Sequence, residues 1–211
     1  MACKIKICGI TRFEDAKAAL ELGADLLGFN FYAKSPRYVH PKIARGIIEK
    51  LRRRQGMAGV FVNSPAAEVS QIALEAGLDT LQFHGDENEG YLRQFPDYVL
   101  IKAVRVQGDF EAKELRRLAQ HVDYLLFDSF SPQQFGGTGR EISEALLAEL
   151  DREGLLNGSF LSGGLTVQNV AERVKAWHLG GVDTASGVES KPGIKDKEKM
   201  RAFIAAARSA K

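Results

Sequence analysis

Cys8 and Asp128 are the side chains of this sequence best suited by type and position to move protons, and Gly163-Gly164 and Ser186-Gly187 best suited to hold an anion. Cys8 closes the run Lys4-Ile5-Lys6-Ile7. With period-two alternation, Ile5 and Ile7 share one face while Lys4, Lys6 and Cys8 share the other. Two readings of Cys8 stand: a small buried thiol that packs as an apolar group, or a thiolate serving as base or nucleophile. The second needs a positive setting, for which Lys6 is well placed. Asp128 follows Tyr124-Leu125-Leu126-Phe127, a run apolar enough to be buried. Desolvation there favours the neutral carboxyl, which suits proton donation; the structural alternative is a turn-capping aspartate. Glycine pairs in loops permit close approach of backbone N–H groups to a phosphate. Arg37, in Ser35-Pro36-Arg37-Tyr38, has the forked donors to grip a carboxylate, or is a surface arginine. His84 follows another apolar run and reads as either a site residue or a satisfied core histidine. Asp183 lies in the last short run.

These residues need elements that bring them to one place. Short β-branched or apolar runs alternate with longer amphipathic ones throughout. Strands are predicted at Lys4–Cys8, Ala24–Phe29, Met57–Val62, Thr80–Phe83, Tyr98–Val104, Tyr124–Phe127, Ser159–Leu161 and Gly181–Thr184. Helices are predicted over Phe13–Leu22, from Pro41, after Asn63-Ser64-Pro65 up to Gly77, from Asp86-Glu87, and over Asp109–Ala119, Ile142–Leu150 and Asp196–Ala207. Another starts with Thr166 as its N-cap. Strict alternation implies a parallel sheet, and eight strands close it into a (β/α)8 TIM barrel of the α/β class. No linker or composition break divides residues 1–211, so one barrel domain is expected. An open doubly wound sheet would want a glycine-rich fingerprint in its first strand-helix turn, and Cys8-Gly9-Ile10-Thr11 supplies none. In a barrel, chemistry sits at the C-terminal strand ends, where Cys8, His84, Asp128, Gly163, Gly164, Asp183, Ser186 and Gly187 all fall.

Composition narrows the function classes. A net charge of +2 does not indicate sequence-independent nucleic-acid binding or a polybasic membrane protein. The run Arg52-Arg53-Arg54 reads as a solvated helix end. The first residues lack the apolar core of a signal peptide, and no stretch approaches a membrane span. The two cysteines, Cys3 and Cys8, point to opposite faces of one strand, so they neither bridge nor share a metal, and a reducing cytoplasm fits them. No His, Cys or carboxylate pair has metal-ligand spacing. Gly136-Gly137-Thr138-Gly139 lacks both the Walker lysine and the third dinucleotide glycine, and reads as a loop over the site. The expected partner is a small phosphorylated molecule, with neither nucleic acid nor membrane, bound by a monomer or homodimer.

The order of these strand ends resembles the phosphoribosylanthranilate isomerase family. The matching pieces include Lys6-Ile7-Cys8-Gly9-Ile10-Thr11, Gly59-Val60-Phe61-Val62-Asn63, Leu81-Gln82-Phe83-His84-Gly85, Ser162-Gly163-Gly164-Leu165, and Ser186-Gly187-Val188-Glu189 followed by Pro192-Gly193-Ile194-Lys195-Asp196. Phe83 stands where many relatives have leucine. The resemblance implies an Amadori rearrangement in tryptophan biosynthesis, without a cofactor. It implies Asp128 as acid, Cys8 as base, Arg37 on the anthranilate carboxylate, Asp183 on a sugar hydroxyl, the two glycine pairs on phosphate, and His84 in the site wall. A bisphosphate-using barrel would need a second anion cradle, which Asn63-Ser64-Pro65 and His84-Gly85-Asp86 do not offer. A catalytically silent phosphosugar sensor would have no need of both Cys8 and Asp128.

Overall fold

Alternating apolar runs set the architecture, because each strand can bury both faces only if a helix covers one and the barrel interior the other. The computed structural model describes residues 3–51, 55–106, 110–129 and 141–210. The triple-arginine run and the Gly136–Gly139 loop lie outside the described residues. In chain order the elements are β1 (Lys4–Cys8), α1 (Phe13–Glu21), β2 (Leu26–Asn30), α2 (Pro41–Leu51), β3 (Met57–Phe61), α3 (Ala66–Ala76), β4 (Thr80–Phe83), α4 (Glu89–Leu92) and β5 (Val99–Val106). Then come α5 (Ala112–Ala119), β6 (Tyr124–Ser129), α6 (Glu144–Arg152), β7 (Phe160–Leu161), α7 (Val170–Ala176), β8 (Gly181–Thr184), β9 (Glu189–Lys191), β10 (Ile194–Lys195) and α8 (Lys197–Ser209). Among the described residues, β1 to β8 pair in sequence order, all parallel, and β8 returns to β1 to close the barrel. The eight-stranded barrel expected from the sequence is the observed fold. β9 and β10 form a small antiparallel hairpin outside that ring.

Side-chain parity fills the interior in layers. Leu26, Ile101, Ala103, Leu126 and Phe160, with Tyr124 beside them, make a separate apolar plug within the ring. Gly181 makes room for it: a Cβ there would lie 2.3 Å from the Phe160 ring. Lys4 Nζ donates to Tyr124 Oη at 2.6 Å, closing the lower end. The outer faces pack against helices. Phe83 touches Phe61, Phe95 and Tyr91, with ring centroids 6.3, 5.2 and 5.4 Å away. Each such aromatic pair adds about 0.5–1.5 kcal/mol beyond its buried area, so phenylalanine at position 83 ties β3, β4 and α4 into one cluster.

Aspartates before the even strands cap the odd ones. Asp25 Oδ2 accepts from Ile5 N at 2.7 Å, Asp79 Oδ1 from Met57 N at 2.6 Å, and Asp123 Oδ2 from Leu100 N at 2.8 Å. This work at the lower rim explains why β2 begins at Leu26 rather than Ala24, and why Asp123 is structural. Three further expectations are corrected. The helix after β4 starts at Glu89 with Asn88 as its cap, because the Glu87 carboxylate is turned inward. α7 starts at Val170 rather than beside Thr166. The Asn169 side chain accepts from Thr166 N at 2.8 Å and donates to Gly164 O at 3.0 Å, holding the intervening residues in a turn. β5 extends to Val106 because Arg105 and Val106 pair with Asp128 and Ser129, a long-range contact that local alternation cannot reveal.

Candidate active site

Cys8 and Asp128 both end strands of the ring, β1 and β6, on the parity that faces inward. Cys8 continues Lys4 and Lys6; Asp128 continues Tyr124 and Leu126. The thiol owes its place to Gly28 on β2. A Cβ there would come within 2.7 Å of Cys8 Sγ and 3.1 Å of Lys6 Nζ. We therefore expect Gly28→Ala to cost about 1–3 kcal/mol by overpacking and to lower kcat by displacing the sulfur. Thermal denaturation and initial rates check this, and parent values of both would mean the thiol has slack.

Below Cys8, Lys6 is wholly buried and donates to Asp183 Oδ1 at 2.9 Å. Ser162 Oγ lies 3.4 Å from the other carboxylate oxygen. Removing one partner of such a pair strands a buried charge, at a cost of about 3–5 kcal/mol. Burial pushes the Cys8 thiol up, the Asp183 charge adds to that, and Lys6 and Lys195 pull the other way without overcoming it. This balance favours the thiol over the thiolate in the free site. Desolvation is the main reason, ahead of the opposing charge and hydrogen bond of Lys6.

Asp128 is buried, with Oδ1 accepting from Ser129 N at 2.8 Å. His84 Nε2 stands 3.4 Å from Oδ2, within ion-pair distance, yet this buried nitrogen has no hydrogen-bond partner among the described residues. Gly163, at φ +80°, is pressed against the acid: a Cβ would fall 2.8 Å from Asp128 Oδ1 and from Ser129 N. Both glycine loops meet here. Thr184 Oγ1 donates to Leu165 O at 3.0 Å, and a Cβ on Gly187 would strike that same carbonyl at 2.0 Å. Thus Gly163-Gly164 and the single 3₁₀ turn Ser186–Val188 line one corner beside Asp128.

Arg37 is buried over Gly9 and is not a free surface arginine. Its Nε and Nη2 donate to Glu189 at 3.0 and 2.8 Å. Glu189 also accepts from Lys195 Nζ at 2.8 Å and from Gly193 N at 3.1 Å. Burial pushes the Glu189 carboxyl up, but the Arg37 hydrogen bond and the Lys195 charge outweigh it and hold it below the usual carboxylate value. Sequence reasoning gave no role to Glu189 or Lys195. It also missed Lys102, whose Nζ meets Glu87 Oε2 at 3.1 Å and the Gly85 carbonyl at 2.7 Å. Glu87 in turn accepts from Asn63 N and Gly85 N at 2.8 and 2.9 Å, fixing the backbone next to His84. The available signal was a lysine inside an apolar strand, since such residues are buried only when paired.

Within this arrangement a buried carboxyl can give a proton, a thiolate formed at Cys8 can take one, and a glycine-lined corner can receive an anion. The model of the family described as N-(5'-phosphoribosyl)anthranilate (PRA) isomerase matches residues 5–206. The N-(5'-phosphoribosyl)anthranilate isomerase of Chlorobium chlorochromatii is 44% identical over 215 aligned residues, covering 98% of this chain and 97% of its own. The crystal structure of phosphoribosyl anthranilate isomerase from Thermus thermophilus superposes with a TM-score of 0.87 at 35% identity, covering 99% and 100% of the two chains. Another isomerase structure, solved in complex with reduced 1-(o-carboxyphenylamino)-1-deoxyribulose 5-phosphate, gives a TM-score of 0.81 at 33% identity over 98% and 99%. The family model and these relatives span nearly the whole chain, and the chain belongs to the N-(5'-phosphoribosyl)anthranilate isomerase family of tryptophan biosynthesis.

Proposed function

We propose that Asp128 and Cys8 are the general acid and general base of an Amadori rearrangement converting N-(5'-phosphoribosyl)anthranilate to 1-(2-carboxyphenylamino)-1-deoxyribulose 5-phosphate. Asp128 protonates the furanose ring oxygen, and the ring opens to a Schiff base. Cys8 then takes the proton from C2′, leaving an enolamine that tautomerises to the ketone. Both transfers use side chains, so no cofactor enters. The observation that carries this reading is the contact of the anion corner with the acid: Gly163 lies against Asp128 and the Gly187 loop closes on Leu165. A phosphate held by Gly163, Gly164, Ser186 and Gly187 thereby anchors the sugar next to its proton donor. Asp183 is assigned to a sugar hydroxyl from the floor of the site, and His84, whose Nε2 lacks a hydrogen-bond partner among the described residues, to the wall beside Asp128.

Arg37 is assigned to the anthranilate carboxylate. It shares Glu189 with Lys195, so two cations face one anion and a positive excess remains for an incoming carboxylate. The test is an initial-rate assay of the purified chain on freshly made N-(5'-phosphoribosyl)anthranilate, followed by complementation of a tryptophan-requiring strain. Absence of turnover would overturn the reading. In the same assay Arg37→Ala is expected to raise KM about ten- to a hundredfold, the worth of a charged hydrogen bond, with a smaller effect on kcat. Lys195 still pairs Glu189 in that variant, so no carboxylate is orphaned. Unchanged constants would leave Arg37 a clamp on Glu189 alone.

Both cysteines are free, as a reducing cytoplasm would keep them, and we assign the enzyme to that compartment; no described helix is long and apolar enough to cross a membrane. The assigned substrate is the phosphorylated aminoaldose, with no role for nucleic acid. Every proposed site residue comes from one chain, so the chemistry is the same for a monomer or a homodimer.

A further inference from the structure

Lys195 ends β10 in the hairpin outside the ring, yet its side chain is fully buried. Its Nζ reaches three acceptors: the Cys8 carbonyl, the Ala185 carbonyl at 3.3 Å and Glu189 Oε1 at 2.8 Å. Three acceptors call for three N–H groups. An ammonium has three and a neutral amine two, so the geometry describes the charged form, even though burial lowers its proton affinity and Glu189 and Cys8 only partly restore it. The hairpin that carries it is itself fixed. Lys195 N donates to Asp15 Oδ2 at 3.0 Å, Thr11 Oγ1 donates to Gly193 O at 2.5 Å, and Lys199 Nζ donates to Glu189 O at 2.9 Å.

The charged groups acting on the thiol are Lys6 from β1, Asp183 from β8 and Lys195 from β10. Lys6 acts on the sulfur by its charge and by a side-chain hydrogen bond, and its partner Asp183 offsets part of that, so Lys195 is the second positive group on the thiol. Lys195 shares its one carboxylate with Arg37, and its charge is not fully neutralised. We propose that Lys195 is the positioning residue of the base: its ammonium ties the end of β1 to the segment after β8, orients Cys8 towards the substrate, and adds to the charge of Lys6 a second positive charge for the thiolate. This inference rests on Cys8 as base. It goes further by naming what makes a half-buried thiol usable, and by linking the base to the segment that leads into Ser186-Gly187.

The test uses a Cys3→Ser background, so that alkylation by iodoacetamide reports Cys8 alone, with the alkylation rate followed against pH. Lys195→Met is expected to move the Cys8 titration up by about one pH unit or more, the effect of removing an adjacent opposite charge. At neutral pH kcat should fall about tenfold or more in step with the lost thiolate. An unmoved titration overturns the proposal whatever happens to kcat. A moved titration with unchanged kcat supports the role of Lys195 and overturns Cys8 as the base, so the two failures are distinguishable. Should Lys195→Met lose its cooperative thermal transition, Glu189→Gln decides instead. Removing the anion that competes for Lys195 must lower the Cys8 titration, and a titration that stays put or rises overturns the proposal.

Discussion

Serine in place of Cys8 is expected to leave substrate binding near the parent level and to cut kcat by about 10²–10⁴, the span of a lost general base. Sγ and Oγ are similar in size, and Gly28 leaves space for either, so the fold and the anion corner should persist. The chemistry does not persist, because an alcohol ionises far less readily than even a thiol whose proton affinity burial has raised. The sign of the pH dependence follows from the same shift. Below its titration point the thiolate population grows about tenfold per pH unit. The parent's kcat/KM should therefore climb on the alkaline side until Cys8 is ionised, and that rising limb should vanish in Cys8→Ser. Initial rates across pH, with product binding measured by calorimetry, separate the two effects. A serine variant with nearly the parent's kcat would remove Cys8 from the reaction.

What the sequence revealed was local. Alternation in Lys4–Cys8 set the face of Cys8, the apolar run Tyr124–Phe127 marked Asp128 as a strand end, and the closed ring puts both strands in one barrel. Proline at position 41 and glycine at position 77 marked helix ends because their backbone limits are intrinsic. The partnerships were not legible. Lys6 finds Asp183, Arg37 finds Glu189 and Lys102 finds Glu87 across 177, 152 and 15 residues in turn. The first two of those ion pairs exist only once the ring has closed. Consequently, the reading of Lys6 as a bare cation beside the thiol was incomplete. Lys6 also pairs with Asp183, which offsets part of its pull on the sulfur, and the hairpin lysine, quoted only as part of a motif, faces the Cys8 carbonyl as a second cation. Thr166 caps the turn ahead of α7, its Oγ1 accepting from Gln168 N at 3.3 Å, while Asn169, three residues on, bonds both the Thr166 N–H and the Gly164 carbonyl and the helix begins only at Val170.

Asp128→Asn is expected to lose about 10²–10⁴ in kcat with KM little changed, and unlike a shifted acid it should not recover at any pH. Asparagine keeps the size of the side chain and an oxygen to accept from Ser129 N, now at 2.8 Å, so Gly163 and the anion corner beside it should stay in place. What the amide lacks is a transferable proton. Ring opening needs one at the furanose oxygen, and His84, 3.4 Å from the carboxylate, is the nearest named group that could substitute. That makes the double variant informative. If His84 supplies a detour, Asp128→Asn will retain a residual rate that His84→Ala removes; if it does not, the second substitution will change little on top of the first. Combining Asp128→Asn with Cys8→Ser should cost much less than the product of the single effects, because groups that act in one reaction sequence are not additive. Full activity of Asp128→Asn at neutral pH would transfer the acid's role to another residue, and would leave Asp128 as a cap on the turn that follows β6.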